Sequence, residues 1–267
     1  MKRIISLALV LLGIFCIFGC EMNSKSNNII LDVAKTLRKN YGSGDNVRIA
    51  IIDSGLATVN YDEEYMLDFS EENVTTDFLD HGTPIWNILA DKEYGLAPNA
   101  TIYSLKVINK YGNASTQGIT NALEWCLDNS IDIINMSLSF GVHNENIECL
   151  INELIQSGVI IVASINNVTK ELDYPSMYNG VICVGVTDTP KAYNETYSIV
   201  FTNKYNITAV GIDGKLKDYV GNSFLAPIIT GTIACLIDKT SEERRGTSEE
   251  LVETVKYVLA VSNINIM

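Results

Sequence analysis

Five short aliphatic runs recur along the chain, at Val47–Ile52, Ile102–Ile108, Ile131–Met136, Val159–Ala163 and Val181–Val186. Each is rich in Ile and Val and continuous rather than alternating, the pattern of a strand covered on both faces, as in a parallel sheet. Helix-patterned stretches lie between or after them: Pro84–Leu89, Gln117–Asn129, Asn144–Gln156 and Phe224–Ile237. A last one, Ser248–Val258, places Ser248 as N-cap with Glu249 and Glu250 in its first turn. Strand–helix–strand repetition over more than a hundred residues predicts an α/β fold, a wound and mostly parallel central sheet flanked by helices. Beyond Val186 the pattern turns loop-rich, with weaker strands and turn signals at Asp188-Thr189-Pro190 and Asp213-Gly214. In such sheets reactive groups collect at the carboxyl edge of the strands.

The N-terminus follows a different rule. Met1-Lys2-Arg3 precedes an almost wholly apolar run from Ile4 to Phe18, the shape of a secretory signal. Gly19-Cys20 at its end resembles a bacterial lipobox. That resemblance implies removal of residues 1–19 and a diacylglycerol on the Cys20 thiol, which would hold the protein at the extracytoplasmic face of the cell membrane. The alternatives are an uncleaved anchor helix, for which the run is short, and secretion without lipid. Residues 20–45 are polar apart from one amphipathic piece, Ile29 to Leu37, and read as a tether; residues 46–267 read as the folded domain. An even number of later cysteines (Cys126, Cys149, Cys183 and Cys235) permits disulfides outside the cytoplasm. Cys183 and Cys235 sit in apolar runs, however, and read as buried free thiols.

Composition narrows the chemistry. Of 267 residues, 19 are Lys or Arg and 32 are Asp or Glu, a net charge of −13. Such a surface lacks the positive footprint that nucleic acid requires, so no nucleic-acid partner is expected. With two histidines, His81 and His143, a His-rich metal site is excluded, and any histidine base is one of that pair. His143, in Gly141-Val142-His143, reads as solvent-facing.

Three segments carry candidate chemistry. The run Val47-Arg48-Ile49-Ala50-Ile51-Ile52-Asp53-Ser54-Gly55 is a strand that ends in an acid and then a turn; alone, that is common turn chemistry. In Asp80-His81-Gly82-Thr83-Pro84 a histidine precedes a helix whose first turn accepts a proline. In Gly221-Asn222-Ser223-Phe224-Leu225-Ala226-Pro227 a serine opens a helix. It could serve as a plain N-cap, but there the partial positive charge and free N–H groups can stabilise an oxyanion.

The order Asp, His, Ser with these neighbours resembles the subtilisin-like serine peptidases, or subtilases, from about Val47 to about Leu236. The segments IAIIDSG, HGT and GNSFLAP match the family's three catalytic blocks, and YGLAPNATIYSLKVIN, GITNALEWC, DIINMSLS and YPSMYNGVICVGV match its intervening elements. The resemblance implies a three-layer subtilisin-like fold and a serine endopeptidase. Ser223 is the nucleophile, His81 the general base and Asp53 the group that orients it. The family's second oxyanion donor is an asparagine after a small-small-Gly run. Aligning Ala163-Ser164-Ile165-Asn166 on that run makes Asn166 the donor, with Asn167 as rival. Gly112, Asn113 and Ala114 would form an edge that pairs with extended substrate. Ser137, Leu138 and Ser139 would wall one side of the primary pocket and Ala163, Ser164 and Ile165 the other.

The departures from the family pattern are Ile165 and Ser139-Phe140 where glycines are usual, and Pro84, Ala226 and Ile228 beside the triad. The pocket residues lead to the expectation of a shallow pocket that favours Ala, Gly or Ser. The path from His81 to Gly95-Leu96-Ala97-Pro98 is shorter than in calcium-binding subtilisins, so that calcium loop is expected to be absent. No cofactor or metal is called, and other calcium sites stay open. The implied partners are a peptide or protein substrate and membrane lipid through acylated Cys20; the protein is expected to be a monomer. The tether is too short for the family's pro-domain, and small lipid-anchored subtilases resemble processing peptidases that remove leaders from lantibiotic-type peptides. The alternative is a catalytically silent lipoprotein that keeps the fold as a binding or immunity module.

Overall fold

The computed structural model describes residues 29–57, 61–167, 173–186, 197–202, 205–238, 248–262 and 264–266. The signal segment and Cys20 lie outside them. In chain order the elements are α1 (Ile29–Asn40), β1 (Arg48–Asp53), β2 (Met66–Asp68), α2 (Gly82–Ala90), β3 (Thr101–Lys106), α3 (Thr116–Asp128) and β4 (Ile133–Met136). There follow α4 (Glu145–Gln156), β5 (Ile160–Ser164), β6 (Ile182–Val186), β7 (Ser198–Phe201), β8 (Ile207–Val210), β9 (Leu216–Tyr219), α5 (Asn222–Ile237) and α6 (Ser248–Val261). Seven strands form one parallel sheet in the order β2-β3-β1-β4-β5-β6-β7, while β8 and β9 pair as a separate antiparallel hairpin.

The continuous aliphatic runs are explained by what covers the sheet. Successive side chains of a strand point to opposite faces. In β1, Ile49 and Ile51 join one hydrophobic core with residues of α1, α2, α5 and α6. Ala50 and Ile52 join the other with residues of α3 and α4. The resulting three layers leave no face of the central strands wet, so no polar alternation appears. The helix α5 is apolar all round and buried over nearly its whole length, as a helix enclosed by its neighbours should be. The two outermost strands, β2 and β7, are three and four residues long, too short for periodicity to mark them.

The boundary at residue 46 needs correction. Residues 29–40 of the expected tether are the helix α1, which buries Ile30, Val33, Ala34 and Leu37 in the first core. Those positions follow the i, i+3, i+4, i+7 spacing of a single apolar stripe. The Arg38 guanidinium reinforces the docking by donating to the Glu93 carbonyl at 3.0 Å and to the Gly95 carbonyl. The folded unit therefore begins by Ile29. Among the described residues no helix is long and apolar enough to cross a membrane. Cys126, Cys149, Cys183 and Cys235 are all free.

Truncation of Leu37 tests this docking. Leu37→Ala should lower unfolding free energy by about 2–5 kcal/mol, the usual result of emptying a filled core site. A detached tether would leave the urea midpoint unchanged.

Candidate active site

Asp53 is the last residue of β1 and only 1% exposed. Its Oδ1 faces His81 Nδ1 at 2.7 Å and also accepts the Ser54 N–H at 2.7 Å. Its other oxygen, Oδ2, is buried with no donor among the described residues. His81 stands at the N-cap of α2. Two glycines make the approach of the segments possible: a Cβ on Gly82 would lie 2.3 Å from the Gly55 carbonyl oxygen, and one on Gly55, at φ +101, would lie 2.2 Å from the Thr75 carbonyl oxygen.

The loop before His81 is held by a carboxylate that the sequence reading missed. Asp77 is buried; its Oδ1 accepts from Ser54 Oγ (2.9 Å) and the Leu79 N–H (2.9 Å), its Oδ2 from the N–H groups of His81 (3.1 Å) and Thr83 (2.9 Å). It thus caps α2 from outside the helix, where an anion is favoured. Lys106, the last residue of β3, is fully buried beneath the same loop. Its ammonium donates to the Thr76 carbonyl at 2.7 Å, pairs with Glu72 at 3.2 Å and lies 4.9 Å from the Phe78 ring centroid. The signal available for Asp77 was its spacing of four before His81; nothing in the sequence marks Lys106 apart from an ordinary strand-end lysine.

Asp80 braces the base from the other side. Its carboxylate accepts from the Ile212 N–H (2.8 Å), Tyr219 Oη (3.1 Å) and Lys217 Nζ (2.9 Å), all on the β8–β9 hairpin that runs directly into Gly221-Asn222-Ser223. Burial alone would raise the Asp80 pKa, but Lys217, the Ile212 N–H and the Tyr219 hydroxyl together hold it below the ordinary carboxylate value. The Tyr219 ring packs on Phe224 at 4.9 Å and Phe224 on the His81 imidazole at 5.4 Å.

Ser223 lies in the first turn of α5. A buried polar chain fixes it: Thr230 Oγ1 donates to Asn135 Oδ1 (2.9 Å), Asn135 Nδ2 to Ser137 Oγ (3.0 Å), and Ser137 Oγ to the Ser223 carbonyl (2.7 Å). The Ser223 hydroxyl itself donates to the Ser137 carbonyl at 3.2 Å. In unliganded sites the bond from nucleophile to base often closes only around substrate.

The two asparagines make different contacts. Asn166 Nδ2 donates to Ser139 Oγ at 3.2 Å and its backbone N–H to Asp173 Oδ2. Asn167 instead reaches the nucleophile's loop, its Oδ1 accepting the Asn222 N–H at 2.9 Å and its Nδ2 lying 3.3 Å from where a Gly221 Cβ would be. Ile165 remains tied to the sheet, its N–H donating to the Val184 carbonyl at 3.0 Å, so the turn begins one residue later than the alignment assumed. At the expected substrate edge the chain folds back on Asn109. The Asn113 carbonyl accepts from the Asn109 N–H (2.9 Å) and the Asn113 N–H donates to Asn109 Oδ1 (3.1 Å). Asn113 is thereby used internally, as is the Gly112 N–H, which donates to the Asn109 carbonyl at 2.9 Å; Gly112, Asn113 and Ala114 are all exposed. His143 is distant chemistry: an exposed side chain paired with Glu148 at 2.8 Å. Among the described residues no group of three or more His, Cys, Asp or Glu is placed to hold a metal ion.

A parallel three-layer sheet that brings an acid, an imidazole and a helix-start serine to its carboxyl edge, in that chain order, defines the class of subtilisin-like α/β proteins. Residues 44–262 match the model of the subtilase family. Subtilisin NAT of Bacillus subtilis subsp. natto is 27% identical over 218 residues, covering 74% of this chain and 57% of that protein. Subtilisin DY of Bacillus licheniformis is 28% identical over 214 residues, covering 73% of this chain and 78% of that one. The crystal structure of a cold adapted subtilisin-like serine proteinase superposes with a TM-score of 0.64 at 21% identity, covering 88% of this chain and 85% of that one. The chain belongs to the subtilase family. It spans just over half the length of Subtilisin NAT and about three quarters of Subtilisin DY.

The His81 pKa registers the site's electrostatics. Burial works to lower it, but the Asp53 charge, the Asp53 hydrogen bond and the Asp77 charge outweigh burial and raise it above 6.5. The pairing therefore adds fully to folding stability below the ordinary histidine value and ceases to add as pH rises through the raised one. NMR titration of the imidazole should place its midpoint above 6.5 in the wild type. Asp53→Asn should carry it below 6.5 by leaving burial dominant, and Asp77→Asn should move it down by less.

Proposed function

We propose that the protein is a serine endopeptidase that hydrolyses peptide bonds through Asp53, His81 and Ser223. The observation that carries this reading is the 2.7 Å Asp53–His81 contact beside a serine held at a helix start. A small rotation of the Ser223 side chain away from the Ser137 carbonyl would bring its oxygen toward the imidazole. His81 Nε2 then takes the hydroxyl proton as Oγ attacks the substrate carbonyl carbon. Asp53 holds Nδ1–H and stabilises the imidazolium. When the carbon–nitrogen bond breaks, His81 returns the proton to the leaving amine, and a serine ester remains. Water, deprotonated by the same imidazole, hydrolyses that ester and restores Ser223.

The oxyanion would be met by the Ser223 backbone N–H and by Asn167 Nδ2, in place of Asn166. With its Oδ1 occupied by the Asn222 N–H, the Asn167 carboxamide is oriented in advance, as electrostatic stabilisation requires. Extended substrate would pair with the backbone of Gly112 and Ala114, the residues on either side of the internally bonded Asn113.

The substrate proposed is a secreted peptide or protein, cut at defined places. The protein would act as a monomer, anchored to the extracytoplasmic face of the cell membrane by lipid on Cys20. Eight residues separate Cys20 from Ile29, so the anchor would keep α1 within about 30 Å of the lipid surface. A second reading, a silent subtilase-fold lipoprotein serving as a binding or immunity module, draws on the Ser223 hydroxyl facing Ser137 rather than His81.

Labelling with a fluorophosphonate separates the two. Ser223 should be modified in the wild type and the label lost in Ser223→Ala; an unlabelled wild type supports the silent module. Mass spectrometry of candidate secreted peptides, with Ser223→Ala as control, should then give discrete products. Rapid, sequence-indifferent digestion of unfolded casein counts against a processing role. Asn167→Gly should lower kcat by about 10²–10³, a magnitude that comes from subtilisin itself, whereas an equal loss in Asn166→Ala would return the donor role to Asn166.

A further inference from the structure

We propose that Asp173 forms the floor of the primary specificity pocket and directs cleavage to the carboxyl side of lysine or arginine. This rests on the serine-peptidase reading and adds the substrate's chemistry to it. The strands β4 and β5 are parallel neighbours, with Met136 beside Ala163. The segments that continue them, 137–139 and 164–166, are the two walls of the expected pocket. At the near end, Ser223 is tied to both: to Ser137 through their reciprocal hydrogen bonds, and to Ile165 through Asn222 Nδ2, which donates to the Ile165 carbonyl at 3.2 Å.

Asp173 is tied to the same two walls further along. Its carboxylate accepts the backbone N–H of Asn166, Asn166 Nδ2 joins the walls there by donating to Ser139 Oγ, and the backbone of the next residue, Tyr174, bonds that of Phe140 beside Ser139. On the Ser137 wall the carboxylate thus sits two residues beyond the nucleophile's contact, about 6–7 Å along an extended strand. That is the span of a lysine or arginine stem, whose methylenes tolerate apolar walls while the charged head seeks a partner.

One part of the bulk behind the expected shallow pocket, Phe140, is placed elsewhere. The Phe140 ring stacks on Tyr174 at 6.2 Å, and the backbones of the two residues exchange hydrogen bonds of 2.7 and 2.9 Å. The ring packs with the second core.

Charge completes the argument. Asp173 is 4% exposed, its partners among the described residues are neutral donors, and burial pushes its pKa up to about 6. A carboxylate so placed is ionised at neutral pH without a compensating cation among those residues, an arrangement that proteins concentrate at functional sites. Among the described residues the other titratable groups around it are the Cys183 thiol on β6, which burial chiefly and the Asp173 charge in addition push up, and the phenol of Tyr174. Across the Tyr174 ring stands His143, paired with Glu148. A substrate ammonium or guanidinium would supply a positive charge that the described residues do not.

The experiment measures kcat/KM for a peptide series that differs only in the residue before the cut: Lys, Arg, Gln, Phe and Ala. At pH 8 Lys and Arg should exceed Gln by about 10- to 100-fold, the range a charge-assisted hydrogen bond supplies. The Lys-to-Gln ratio should rise from pH 5 to pH 8 as the carboxyl ionises near 6. Titration of His81 affects both substrates alike and cancels from the ratio. Asp173→Asn should collapse the ratio toward one and abolish its pH dependence. Should that variant fail to fold, the wild-type pH dependence decides alone. A ratio near one at pH 8, a ratio flat in pH, or a preference for Ala overturns the assignment while leaving the peptidase intact. Cleavage of no peptide, with no fluorophosphonate label on Ser223, overturns the peptidase reading and this one with it.

Discussion

The 2.7 Å contact between Asp53 and His81 joins residues 28 positions apart, one ending a central strand and the other opening a helix. A buried carboxylate is tolerated only when paired or hydrogen-bonded, so this contact sets how tightly the surrounding chain must close. The glycines at 55 and 82 let the two backbones approach within a distance that no side chain would permit. Asp77 supplies the acceptors for the N–H groups that open the helix, and Lys106 neutralises the loop from below. Each of these residues is there because a charged pair has been placed where water cannot screen it.

The nucleophile is positioned by a different device. A line of neutral hydrogen bonds from Thr230 through Asn135 and Ser137 runs inside the molecule to the first turn of α5. Polar groups buried in this way strengthen one another and hold a unique geometry as long as every member is satisfied. The hairpin β8–β9 links the two devices, since Asp80 beside the base is bound to the strand that leads into Ser223. The partly exposed Asp80–Lys217 ion pair contributes little stability of its own. Its effect is geometric: it ties two loops that the sheet alone would leave independent.

Much of this was legible in the residues. The continuous Ile- and Val-rich runs gave a parallel sheet covered on both faces, because only burial on both sides removes polar alternation. Asp53, His81 and Ser223 each stood at a strand end or helix start, where a wound sheet gathers its chemistry. The helix α1 was visible as an amphipathic stripe but was taken for tether, since a short stripe does not reveal what it docks against. Asn166 and Asn167 were separable by no local rule; which one turns toward Ser223 depends on how far Ile165 stays in the sheet.

The sequence by itself determined the layered fold and the placing of Asp53, His81 and Ser223 at a strand end and at helix starts, because local patterning and residue chemistry are properties of short stretches. Tertiary structure alone decided the supporting contacts of Asp77 and Lys106, the contact of Asn167 with the Asn222 N–H, and that of Asp173 with Asn166. Those depend on which distant backbone groups come within about 3 Å of each other, and burial, which gives such contacts their strength, exists only once the layers have closed.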